Sequence, residues 1–144
     1  GEARTVLPAP SRQVVLIDSA ALVRPEDKGA IVVTGSHGGL VGGQPAMAQQ
    51  VDGFAAAYND AGMGMDGAGA TRLPALDARG IAGITVSAQS ARIGEARSTY
   101  EDGVISAVNE TARRLGAEIG MPARTIIDRW SGLARRLLQS DGSV

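Results

Sequence analysis

No cysteine occurs in the 144 residues, so the chain forms no disulfide and offers no thiol nucleophile, zinc ribbon or iron–sulfur ligand set. Lysine is almost missing too: of 14 basic residues all but Lys28 are arginine. With alanine and glycine abundant, that bias reads first as the imprint of a GC-rich, bacterial-type genome. Aromatic residues make up 3%, namely Phe54, Tyr58, Tyr100 and Trp130. An aliphatic core is therefore expected, and a base-stacking platform for single strands is not. Charge of one sign is lacking as well. The net charge is −1 and the isoelectric point about 5.8, which gives no global attraction to nucleic acid or an anionic membrane. No run approaches the ~20 apolar residues needed to span a bilayer. Gly1–Pro10 has no apolar centre of a secretory signal. These absences together lead to the expectation of a cytoplasmic protein without nucleic-acid or membrane partners.

What is present suits one domain over residues 1–144, with 1–11 as an N-terminal extension and 140–144 as a frayed tail. A chain of this size buries roughly 68–70% of its unfolded surface, enough for a core without covalent staples. Four runs read as strands: Gln13–Ile17, Ala30–Thr34, Val51–Tyr58 and Ile81–Val86. They are continuously apolar rather than alternating, as in parallel strands covered on both faces. Helical patterns lie between and after them. Pro45–Gln50 suits a short helix, and Gly69–Arg79 a crossover helix starting near Pro74 and stopped by Gly80. Ser98–Glu101 matches a capping box, and Val104, Ile105, Val108, Ala112 and Leu115 follow at helical spacing up to Gly116. A last helix, Pro122–Leu138, carries Ile126, Ile127, Trp130, Leu133, Leu137 and Leu138 as an apolar stripe. The expected fold is α/β: a small Rossmann-like, three-layer domain with a mostly parallel sheet of about four strands, open to mixed pairing, and a C-terminal helix pair. The Asp18–Gly29 link is short for a crossover helix, so the first two runs are expected to pair antiparallel or to lie apart. The Trp130 stripe points to a homo-oligomer built through the C-terminal helix.

Glycine clusters follow two of the runs: residues 35, 38, 39, 42 and 43, then 62, 64, 67 and 69. In open α/β sheets ligands bind beyond the carboxyl ends of strands, and glycine lets backbone amides approach a ligand. Polar residues gather at the same predicted ends. His37, the single histidine, is the side chain whose ordinary titration range lies near neutrality. His37, Asp60 and Ser36 are the candidate catalytic residues: His37 as acid/base, Asp60 as its orienter or proton partner, Ser36 as a hydroxyl beside them. Asp18, Ser19, Gly38, Gly39, Asn59, Gly62, Ser87, Ser90 and Arg92 are the candidate binding residues, with Arg92 as an anion clamp.

Several motifs are absent or incomplete. Gly62–Gly67 satisfies G-x-G-x-x-G, but the next run ends in Ser87-Ala88-Gln89, without the acid that would hold a dinucleotide ribose. Gly-x-Ser-x-Gly fails because Gly35 directly precedes Ser36. Lys28 stands outside any P-loop pattern. A single histidine speaks against zinc, while magnesium on Asp18, Asp60 or Asp66 is a minor candidate. The residues thus suggest a small enzyme of hydrolase, isomerase or lyase type, without a tightly bound redox cofactor. It would act on a small anionic metabolite bearing carboxylate or phosphate. The alternatives are a non-catalytic ligand-binding module and an accessory subunit docking through its last helix.

Overall fold

The β-branched runs become strands in chain order. The computed structural model describes residues 3–39, 52–62 and 69–132. Six strands, β1 (Arg4–Leu7), β2 (Val14–Ile17), β3 (Ile31–His37), β4 (Ala55–Asn59), β5 (Ala82–Val86) and β6 (Ile105–Val108), form one sheet in the order β1-β2-β3-β4-β5-β6. Strands β2 to β5 are parallel, and both outer strands run antiparallel to their neighbours. Four helices accompany them among the described residues: α1 (Arg72–Ala78), α2 (Ala96–Asp102), α3 (Glu110–Arg114) and α4 (Ala123–Ser131).

The α/β class stands, with a mixed sheet of six strands in place of about four. Strand β1 lies inside the segment expected to be an extension. It is fastened by Arg4, whose guanidinium donates two hydrogen bonds to the buried Asp27 at 2.6 and 2.8 Å. The first two expected strands, β2 and β3, pair in parallel. Two 3₁₀ turns, Ala20–Leu22 and Pro25–Asp27, make the crossover that seemed too short, because a 3₁₀ turn spans more length per residue than an α-turn.

Winding direction explains the layers. The β2–β3 and β4–β5 crossovers step the same way along the sheet, so as right-handed connections they fall on one face. On that face Val23 covers Val15, Ile17 and Val32, and Leu76 of α1 covers Ala56 and Tyr58. The opposite face presents Val14, Leu16, Ile31, Val33, Ala57 and Ile84, and is covered by Tyr100 of α2 and Ile126, Ile127 and Trp130 of α4. The strand order never reverses, so the sheet lacks the switch point of a Rossmann-like fold. Among the described residues the chain changes face between β5 and α2.

The helix expected from Ser98 to Gly116 is instead α2, β6 and α3. Gly103 ends α2, at a point where a Cβ would come within 3.0 Å of Thr99 O and Val86. The β-branched Val104, Ile105 and Val108 then favour a strand despite their helical spacing. Ser98 is no cap, since its Oγ accepts from Arg92 N and donates to Asp102. Asn109 is the real cap, accepting from Ala112 N at 2.9 Å. Helix α4 ends earlier than expected, at a left-handed Gly132, and packs on α2 through Tyr100 Oη and Asp128, 2.5 Å apart. Trp130 is buried in its own chain, edge-on to Phe54 and donating to Leu115 O. Its indole therefore gives no argument for a second subunit. Pro45–Gln50, Leu133, Leu137, Leu138 and the 140–144 tail lie outside the described residues. No helix among the described residues is long and apolar enough to cross a membrane.

Candidate functional site

Four parallel strands deliver their carboxyl ends to one edge, and there the polar residues gather. Between Val33 and His37 strand β3 carries two more residues than β4, a bulge that ends with His37 opposite Asn59. Bulges re-aim side chains at strand ends. Thr34 fixes this one, donating to Ala57 O and accepting from Ser36 N. Gly35 sits in the bulge beneath the chain that crosses it, its O accepting from Gly94 N at 2.7 Å. His37 is left exposed, with Nδ1 accepting from Gly39 N at 3.1 Å. A nitrogen that accepts carries no proton, so the neutral ring holds its hydrogen on Nε2.

Arg72, which sequence reasoning missed, secures this corner. Its backbone N donates to Gly38 O and its Nε to Gly39 O, and its guanidinium lies over the Tyr58 ring at 4.8 Å. Burial pushes the Tyr58 phenol up to about 12, with Arg72 pulling the other way. The legible signal was an arginine opening a crossover helix directly after a glycine cluster.

The connection 87–95 from β5 to α2 drapes over the strand ends and is pinned by residues the sequence had marked. Asn59, fully buried, donates to Ala91 O. Asp60 Oδ1 accepts from Ala88 N and Gly62 N. Asp18 Oδ1 accepts from Ala96 N, serving as the missing cap of α2. Ser87 and Ser90 close a turn on each other, and Ser90 Oγ also accepts from Val104 N. Ser36 Oγ accepts from Ala20 N, and Ser19 Oγ from Ala21 N.

An open groove of about 700 Å³ lies between β4 and this connection. Asn59, Ser90 and Arg92 of the expected set line it, joined by Ala61, Gln89, Ile93 and Glu95. His37 stands one strand away, in register with Asn59. Among the described hydrogen bonds none joins Asp60 to His37, and Arg92 pairs with Glu95 at 2.9 Å. That bond raises the Arg92 pKa above its ordinary value. Asp66 lies outside the described residues, among which no three His, Asp or Glu side chains converge to hold a metal ion.

Fold and groove define a three-layer α/β domain, wound in one direction, with its cleft where the chain changes face. No family model, curated protein or solved structure matches the chain.

Proposed function

We propose that the groove binds a small carboxylate-bearing metabolite and that the neutral His37 ring polarises it as a hydrogen-bond donor from Nε2. One observation carries the reading: the β3 bulge sets an exposed histidine in register with the groove's Asn59, and the Gly39 amide leaves the proton on the outer nitrogen. Such polarisation needs no redox cofactor. Hydrolase, isomerase and lyase steps all develop negative charge that a fixed donor of this kind stabilises. The groove's volume falls in the range of about 300–1,000 Å³ usual for small ligands.

A second reading, binding without chemistry, is favoured by the bonds of Asp60. Its Oδ1 holds the amides of Ala88 and Gly62, so Asp60 positions the groove wall rather than the imidazole. A panel of small carboxylates, tested for binding and turnover with wild type and His37→Gln, separates the two. The catalytic reading expects retained affinity, with turnover falling on the order of 10²–10³-fold. Stability should change by less than about 1 kcal/mol, as for an exposed site. Binding with no turnover in wild type leaves the binding reading, and turnover undiminished in His37→Gln removes histidine from the reaction.

A further inference from the structure

The charges on the groove narrow its ligand beyond a bare carboxylate. Its charged lining residues are Arg92 and Glu95, opposite in sign and ion-paired. Their side chains are 67% and 51% exposed, so each has room for a further partner. Exposed pairs of this kind contribute little to stability, and rearranging this one costs little. A ligand carrying only negative charge gains Arg92 but meets Glu95 beside it, and the two effects oppose each other at similar range. A phosphate dianion suffers more from the same repulsion. A molecule with carboxylate and ammonium on one carbon meets both groups with the right sign, and each contact becomes a charge-assisted hydrogen bond. Beside the pair stands Ile93, a large apolar side chain that remains 54% exposed, with Ala61 and Ala88 on the same lining.

We propose that the groove recognises a free α-amino acid with an aliphatic side chain. Arg92 binds its carboxylate, Glu95 its ammonium, and Ile93 covers its side chain. This rests on the reading of the groove as the ligand site. Loss of either ligand charge removes one favourable contact and exposes the ligand to the uncompensated member of the pair.

The test is a chemical-shift titration of the full-length ¹⁵N-labelled chain with four probes. They are L-leucine, 4-methylpentanoate (no ammonium), 3-methylbutylamine (no carboxylate) and inorganic phosphate. Leucine is expected to move the amides of Ala88, Ala91 and Ile93, and to bind at least about tenfold more tightly than the other three, as for one lost charge-assisted contact. Glu95→Gln should bring leucine down to the level of 4-methylpentanoate without weakening 4-methylpentanoate. Both residues are exposed, and the Glu95 side chain makes no capping bond to α2, so the variant folds. If 4-methylpentanoate or phosphate binds the groove as tightly as leucine, the amino-acid assignment is overturned and the groove stands as a ligand site. If no probe moves these amides, both are overturned.

Discussion

A single methyl group is too large for two positions at the end of β3. A Cβ on Gly35 would fall within 3.0 Å of Glu95 N, Gly94 C and Asp18 O, and one on Gly38 would strike Gly69 O. At both positions backbone crosses backbone, which by itself requires glycine. Gly62, by contrast, would bring a Cβ within 4 Å of nothing among the described residues, and there its φ of +80° is what calls for glycine. Gly38→Ala should therefore cost about 1–3 kcal/mol, as overpacking does. Gly62→Ala should cost about 1 kcal/mol, the penalty of a left-handed residue. Urea midpoints of the two variants check this, and a Gly62 variant as damaged as the Gly38 variant would mean that packing is not the reason. The neighbouring Ala61 already adopts φ +53° without glycine's freedom, with its N–H donated to Asn59 Oδ1.

At the scale of elements, Asn109 has the widest reach of any side chain outside the site. It is buried, its Oδ1 accepts from Gly83 N and Ala112 N, and its Nδ2 donates to Leu73 O and Ile81 O. One amide thus caps α3 and ties β5 to α1. Asn109→Ala leaves four backbone groups short of partners, and at least about 3 kcal/mol of stability is expected to go with it. Calorimetric unfolding measures the loss, and a drop below 1 kcal/mol would show that water replaces the amide. Asn109 also marks where the sequence misled. The strands β2 to β5 were legible because continuous β-branched or alanine-rich runs ended in glycine or polar residues. Strand β6 was hidden because Val104, Ile105 and Val108 fit a helical face equally well, and Gly103, the residue that breaks the pattern, was read through. The lining of the groove was legible in part. Strand ends can be read from local pattern, so Asn59, Ser90 and Arg92 reached the groove. Glu95 and Ile93 reached it only because the 87–95 connection crosses the sheet, which no local pattern records.

Considered whole, the molecule is held between two pH limbs. Hydrogen bonds from Arg4 hold the Asp27 carboxyl below its ordinary value, and bonds from Thr111 do the same for Asp77. Their stabilisation is complete above the ordinary carboxylate range and is lost as pH falls through the lowered values. The Tyr58 phenol is pushed up to about 12 by burial, and that of Tyr100 to about 12 by burial and by Asp128. Their contribution is complete below about pH 10 and is lost as pH rises through 12. Stability measured by urea midpoints across this range should form a plateau with two falling edges. Asp27→Asn should flatten the acid edge and Tyr100→Phe the alkaline one; an alkaline edge unchanged in Tyr100→Phe would assign it elsewhere.

The one-directional winding has a consequence for how this chain is made. In chain order each new strand adds beside the one before it, and Val23 and α1 close one face between them. The other face, with Leu16, Ile31, Val33 and Ile84, waits for α2 and α4, which follow β5 in the chain. Until then the sheet is a half-covered plate with its apolar side open, and a chain that stops at Val86 leaves it so.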